Sequence, residues 1–394
     1  MKIAVITSGI LPVPAVEGGA VEHLTEYYVE ANERTGEHEI TVFSVASHKP
    51  LPCRSYKHTH FVNVNVASFL SRVRRVMFCK YHKCYYYHPY VEYFLSRILG
   101  KVKRGAFDMI VLENRPAFAP VLRSHTDARI FIHLHTDTIN TSQPLARDWL
   151  DNADAVVAIS DYIRRQVLQV KADMPVRIAY NGIQLKHFSQ AKPFSRSEMG
   201  FTSDDFVLVY CGRVIPEKGI EQVIEAMLML TRQQVNVRLL VIGSSFYGKD
   251  KHVDAYVAKM QKLAEPIKDS IHFTGYVPYA HIPCYLKTCD VAVLPSLCEE
   301  AFGLTMLESM ACALPVITTN AGGIPEVCEG ASILLQRDEF LATNIAACVK
   351  SLKEDSDKLG QLKEKALERS QAFSLERYTS SMFDALKSVF VITL

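Results

Sequence analysis

Twelve short apolar runs, each followed by a segment long enough for a helix, limit what this chain can fold into. "KIAVITS", "HEITVFSV", "FDMIVLE", "ARIFIHLH", "DAVVAIS" and "VRIAYN" occupy the first half, and "FVLVYCGR", "VRLLVIGS", "IHFTGYV", "DVAVLPS", "LPVITTN" and "ASILLQ" the second. The runs are continuous rather than alternating, as strands of a parallel sheet covered on both faces must be. Two sets of about six predict two doubly wound α/β domains in tandem. With 394 residues the chain is long enough for roughly two to three domains. Between Lys186 and Asp204 it turns polar and loses periodicity, which marks the boundary. The expected division is 1–190, 191–372 and a final helix over 373–394. In that last stretch Leu375, Tyr378, Met382, Phe383, Leu386 and Val389 recur at helical spacing, so the helix is amphipathic.

Composition excludes more than it names. Hydrophobic residues make up 48% and charged residues 22%, the balance of a soluble globular protein. A net charge of +2 points to no partner. Ten cysteines are scattered; Cys79/Cys84 and Cys284/Cys289 form no CxxC pair, and reduced, mostly buried thiols of a cytosolic protein are expected. "MKIAVITSGILPVP" reads as a first strand rather than a signal peptide. No apolar run reaches the ~18 residues of a spanning helix.

Ligands of doubly wound sheets bind beyond the carboxyl ends of the strands, so the loops there are where chemistry is expected. In "YCGRVIPEKGIEQVIEAM", Arg213 and Lys218 bracket a turn and Gly219 opens a helix; two cations at a helix N-terminus suit a diphosphate, and an ordinary solvated loop reads equally well. Gly18-Gly19 in "EGGAVEHL" and Gly322-Gly323 in "NAGGIPEV" let backbone approach a ligand or simply turn the chain. "PSLCEEAFGLTMLESM" sets Glu300 in a loop, starts a helix around Phe302-Gly303-Leu304 and carries Glu308 inside it. Amides near Gly303 and Leu304 can meet a phosphate or sugar, and Glu308 a diol. Two exposed glutamates beside a core helix are the plainer alternative. "IFIHLHTDT" offers His133, His135 and Asp137 as a metal set, although packed or hydrogen-bonding histidines are the commoner reading. The DxD of "EDSDK" follows no strand and reads as a solvated face.

Taken in order, "GGA", "GRVIPEKG", "FTGYVP", the paired glutamates of "EEAFGLTMLES" and "AGGIPE" resemble the retaining glycosyltransferases of family four, bacterial surface-polysaccharide type. The resemblance runs along nearly the whole chain and is strongest from Val207 to Val327. It implies the α/β GT-B fold: two Rossmann-like domains facing across a cleft, the first binding acceptor and the second nucleotide sugar, with the final helix returning to the first. It implies that Gly19 contacts the donor phosphate through its backbone, that Arg213 and Lys218 bind the diphosphate, and that Val277 meets the base by main chain. Glu308 would hold the ribose hydroxyls and Glu300 the transferred sugar, with Phe302, Gly303 and Leu304 offering backbone groups. His135 would sit near the anomeric carbon and the acceptor. No metal and no cofactor are implied, since cations and helix dipoles stabilise the leaving diphosphate. Ala301, Ala313 and Gln184 stand where glycine, glycine and aspartate are usual, which bears on fine sugar specificity.

By frequency among similar sequences the donor is a UDP-hexose or UDP-N-acetylhexosamine, and the acceptor a glycan or a polyprenyl-diphosphate-linked sugar. Nucleotide-sugar 2-epimerases share the architecture and are the alternative, as is a binding protein without activity. From Arg54 to Arg104 eleven Lys/Arg face one acid, Glu92. There Leu70, Val73, Val76 and Met77 line one side of a helix, Arg72, Arg74 and Arg75 crowd elsewhere, and "CKYHKCYYYHPYVEYF" adds tyrosines. Basic residues beside apolar ones suit an anionic membrane surface; no nucleic-acid recognition motif accompanies the charge. The expected location is cytoplasmic, peripheral at the inner face of the plasma membrane.

Overall fold

Each of the twelve apolar runs forms a strand, and among the described residues one strand joins them that apolarity does not reveal. The structure is a computed structural model that describes residues 1–51, 54–81, 89–245 and 255–391, with the side chains of 79–81, 89–90 and 389–391 left out. The tyrosine run "CKYHKCYYYHPY" and Val389 thus lie outside the described side chains.

The first sheet holds β1 (Lys2–Ile6), β2 (Glu39–Val45), β3 (Thr59–Val64), β4 (Met109–Glu113), β5 (Arg129–Leu134), β6 (Ala155–Ala158) and β7 (Val176–Ile178), all parallel in the order β3-β2-β1-β4-β5-β6-β7. The second holds β8 (Phe206–Cys211), β9 (Val237–Ile242), β10 (Ile271–Gly275), β11 (Val291–Leu294), β12 (Val316–Thr319) and β13 (Ser332–Leu335), all parallel in the order β10-β9-β8-β11-β12-β13. Consecutive strand residues point to opposite faces, and in β4, β6, β11 and β12 every residue is buried. Both faces of these strands are therefore covered, which is why their sequences show no alternation. The added strand is β3, at an edge of its sheet, where no residue is fully buried. Its "THFVNV" mixes polar with apolar positions, as suits an edge strand only half-covered.

In each sheet the strand order reverses once, between β1 and β4 and between β8 and β11. Crossovers leave in opposite directions there, so the loops at that edge part and leave room for a ligand.

The chain forms two compact units, one of Met1–Gly182 with Glu376–Leu394, the other of Ile183–Leu375. The helix Leu375–Val391 supplies the first unit with Tyr378, Met382 and Leu386, all buried. Tyr378 donates its hydroxyl to the Leu24 carbonyl at 3.3 Å and lays its ring along His133, centroids 6.4 Å apart. Phe383 meets the rings of Tyr28 and His38. The chain's one tryptophan, Trp149, is buried in the same unit, so its fluorescence reports that unit's unfolding. Tyr378→Ala is expected to lower the first unit's stability by about 3–5 kcal/mol, read as a fall in the urea midpoint of the Trp149 signal. A loss under about 1 kcal/mol would detach this helix from the core.

Candidate active site

In the second unit the candidate residues collect where β8 and β11 part. The loop after β8 and the loop after β11 are tied backbone to backbone: Leu297 N–H donates to the Glu217 carbonyl at 2.9 Å. Gly219, at φ 67°, lies so close that a Cβ there would stand 2.6 Å from the Pro295 carbonyl oxygen. A side chain at this position would push the two loops apart. Lys218 pairs with Glu300 through Oε1, which also accepts from Ser296 Oγ at 2.9 Å. The sequence assigns this lysine and this glutamate to different parts of a ligand; the structure brings them into contact.

Glu300 is also held from behind. Gly323 N–H donates to its carbonyl at 2.7 Å, and a Cβ on Gly322 would meet that carbonyl oxygen at 2.2 Å. The close approach that two glycines permit is here made to Glu300's own backbone. Two helices open at the same place, Ile220–Arg232 behind Gly219 and Leu304–Ala311 behind Gly303, which has φ 104°. Their first amides lack intrahelical acceptors and carry the positive end of the dipole. Arg213 is exposed in the loop after β8, its carbonyl fixed by the Tyr210 hydroxyl at 2.7 Å. Phe302 is buried edge-on against Phe373, centroids 5.6 Å apart, so its ring anchors the loop and only its backbone remains for a ligand.

Glu308 is buried in the helix Leu304–Ala311. Burial pushes its carboxyl up to about 7, against a hydrogen bond from Tyr279 that pulls it down. That bond brings the turn Tyr279–His281, just after β10, to Glu308; half-buried Val277 lies in the same loop. The thiols of Cys211 and Cys312 are buried, and burial pushes both up, that of Cys312 to about 12, so both stay protonated and unreactive.

The first unit holds Gly19 and His135. Gly19 has φ 100°, and a Cβ on it would lie 2.1 Å from Glu22 Oε2; what it approaches here is the buried Glu22, which accepts from Ser8 Oγ at 2.9 Å. His135 is buried at the end of β5, its Nε2 2.9 Å from Glu113 Oε2. Asp137, grouped with the histidines from the sequence, is exposed, and Glu113 stands in that position instead. Asn114 takes a left-handed φ of 55° and accepts from the His135 amide at 3.1 Å, while Arg115 Nε donates to the Ser8 carbonyl at 2.9 Å. Glu113-Asn114-Arg115 were thus missed as site residues. Their signal is three polar residues in a row directly after an apolar strand.

Two family models match: "Glycosyltransferase Family 4" over residues 18–187 and "Glycosyl transferases group 1" over 191–369. "Spore coat protein SA" of Bacillus subtilis (strain 168) is 27% identical over 343 residues, 84% of this chain and 83% of that one. Sucrose-phosphate synthase from Thermosynechococcus elongatus superposes with a TM-score of 0.76 at 20% identity, over 100% of both chains. Anabaena HepE in complex with UDP gives 0.72 at 18%, over 98% of this chain and 100% of that one. The chain belongs to the family-four glycosyltransferases.

As expected for this glycosyltransferase the fold is GT-B, built from two Rossmann-like units. Two further motifs find local explanations. Asp355 of the "EDSDK" segment caps the helix Ser356–Ser370, accepting from Lys358 N–H at 2.9 Å. Ala313, standing where glycine is usual, takes φ 59°, a conformation that costs a residue bearing a Cβ.

The basic helix needs one correction. In Phe69–Tyr81 the residues Phe69, Leu70, Val73, Val76 and Met77 are all exposed, Phe69 by 83% and Val76 by 66%. At about 3.6 residues per turn they fall within about 120° of one another, with exposed Arg72 and Arg74 at the two borders. Arg75 does not belong with them: it is half-buried on the opposite side, the side on which Phe78 packs edge-on against Tyr93. Arg54 is likewise taken up locally, paired with Glu26 and Glu30.

Glu308 gives the site a pH signature. Its folded carboxyl titrates near 7 against an ordinary 4.5, so between those values the folded state binds a proton that the unfolded state releases. Its contribution is full below about 4.5 and is lost as pH rises through about 7. Glu308→Gln, neutral throughout, should therefore gain stability relative to wild type between about pH 5 and 8, on the order of 2–3 kcal/mol. Urea midpoints for the two proteins that run parallel across this range would show that Glu308 stays ionised.

Proposed function

We propose that this glycosyltransferase moves a sugar, with retention, from a UDP-linked hexose or N-acetylhexosamine to a glycan or polyprenyl-diphosphate-linked acceptor in cell-surface polysaccharide synthesis, without a metal. The observation that carries the reading is the convergence, at the switch point of the second sheet, of Lys218, Glu300 and two helix N-termini. Such a place favours a doubly charged diphosphate beside a polyhydroxylated group. The choice of UDP is supported by Anabaena HepE, a structural neighbour that binds UDP and UDP-glucose.

In this reading the second unit binds the donor. Val277 meets the base through its backbone, Glu308 the ribose hydroxyls, and Arg213, Lys218 and the amides of Gly303 and Leu304 the diphosphate. Glu300 and the backbone of Phe302 hold the transferred sugar, and Gly19 offers its amide to a phosphate. As the bond to the anomeric carbon breaks, Arg213 and Lys218 neutralise the departing diphosphate. The leaving oxygen takes the acceptor proton on the same face, which preserves the anomeric configuration. His135 lies at the reacting centre on the acceptor side.

Incubation with labelled UDP-sugars and acceptor, with and without a chelator, tests the reading. Release of UDP together with a glycosylated product in both arms is expected. An altered sugar without release would make the protein an epimerase, and activity restored only by a divalent ion would overturn metal independence. Arg213→Ala and Lys218→Ala should each lower kcat/KM by about 10- to 150-fold, the equivalent of about 1.5–3 kcal/mol per charge-assisted bond. Glu308→Gln should weaken UDP binding in a calorimetric titration, whereas Glu300→Gln should leave it intact and depress transfer. Equal losses of affinity would reject that division.

The exposed apolar stripe of Phe69–Tyr81, bordered by Arg72 and Arg74, supports peripheral attachment to an anionic membrane, at the inner face in a cytoplasmic setting. No helix among the described residues is long and apolar enough to cross one. Vesicles containing anionic phospholipid should bind the protein, less so as salt rises. Changing Arg72 and Arg74 together to Gln should weaken that binding and transfer to a lipid-linked acceptor while sparing UDP affinity. Vesicle binding that is unchanged in the double variant would leave the helix as ordinary surface.

A further inference from the structure

Glu113 closes β4 with its side chain fully buried. Three groups converge on its carboxylate: the Tyr28 hydroxyl at 2.7 Å, His133 Nδ1 at 3.0 Å and His135 Nε2 at 2.9 Å. Burial alone would raise this carboxyl, but the charge and hydrogen bonds of the two histidines outweigh it and hold it far below the usual range. Glu113 is therefore a pure acceptor, and each nitrogen facing it must carry a proton. Burial and the neighbouring His133 hold His135 down at about 4, against the pull of Glu113, so at neutral pH its ring has a single N–H. That proton is on Nε2. The ring has little room to turn away, because it is buried and the His133 ring packs against it at a tilt of 54°, centroids 4.1 Å apart.

The same three side chains would make a metal set by residue type, their ligand atoms lying within 4.8 Å of one another. The spacing speaks against it. Two ligands of tetrahedral zinc sit about 3.3 Å apart, whereas these contacts are 2.9 and 3.0 Å with a tyrosine hydroxyl added, the lengths of hydrogen bonds.

We propose that Glu113 is a positioning residue for glycosyl transfer: by accepting from Nε2–H it fixes the tautomer of His135, so that the ring presents Nδ1 as a hydrogen-bond acceptor to a hydroxyl of the reacting sugars. The proposal rests on the reading of His135 as a group at the reacting centre. A neutral acceptor nitrogen discriminates by sign, since it welcomes a hydroxyl and offers nothing to a phosphate or carboxylate oxygen. Glutamine in place of Glu113 would break this rule without changing the shape. Its amide can donate to Nε2 and so let the proton move to Nδ1, which turns the presented nitrogen from acceptor to donor.

The test begins with the wild-type protein. In ¹⁵N-histidine NMR at about neutral pH, with His135 assigned by its absence in His135→Ala, the proton should be on Nε2 and Nδ1 bare. An Nδ1–H ring, an imidazolium, or a stoichiometric metal carried by the purified protein would overturn the proposal. Transfer kinetics form the second arm. Glu113→Gln should lower kcat/KM at least tenfold while UDP affinity stays within about twofold, and Glu113→Asp, shorter but still a pure acceptor, should retain more activity than Gln. A Gln variant as active as wild type, or more active than Asp, would reduce Glu113 to a matter of shape. Full transfer by His135→Ala would instead remove His135 from the reacting centre and leave the tautomer result standing.

Discussion

A strand in a parallel sheet cannot turn straight back, so each is followed by a crossover and all the strand-to-helix loops open at one edge. That constraint decides where polar chemistry can sit in this glycosyltransferase. Inner strands such as β4, β6, β11 and β12 are sealed on both faces, which leaves the edge as the place where a carboxylate or a lysine finds partners. Glu113 ends β4, His133 and His135 lie at the end of β5, and Glu300 follows β11. Within each unit the richest loops are those beside the reversal of strand order, where diverging crossovers leave space.

The two units handle buried charge differently. In the first, Glu113 is sealed and satisfied by three donors, Tyr28 from the helix Ala20–Thr35 and the two histidines at the end of β5, an arrangement that fixes geometry at the cost of desolvation. In the second, Lys218 and Glu300 are only partly covered, with side-chain exposures of 25% and 18%, and each is the other's partner. Lys218 is thus fixed in place by one carboxylate while part of its side chain stays open. Gly219 and Gly322 keep that arrangement tight, because each lies where a Cβ would collide with the opposite loop's backbone.

Legibility in the sequence followed the physics of burial. Strands sealed on both faces must be continuously apolar and were plain; β3, half-open at its edge, was not. Glu300 and Glu308 stood out because motif and spacing mark them; the structure sets Glu300 beside Lys218 and Ser296 and buries Glu308 in the helix behind. Glu113 did not stand out, since a single acid at a strand end looks the same whether it faces water or two histidines; only the pairing of β4 with β5, which sets Glu113 against His133, gives it meaning. Asp137, adjacent in sequence, drew attention that belonged to a residue twenty positions away from His133. Arg75 was misread for a related reason: counting charge along a helix ignores which side the neighbouring helix covers.

The helix Leu375–Val391 gives the chain a particular order of birth. During synthesis the second unit is complete once Leu375 has emerged, while the first, begun earliest, still lacks Tyr378, Met382 and Leu386 from its core. Tyr28 and His38 await Phe383 for the whole of that interval. The unit that starts first on the ribosome is thus finished last, and no single cut in the chain yields both units whole.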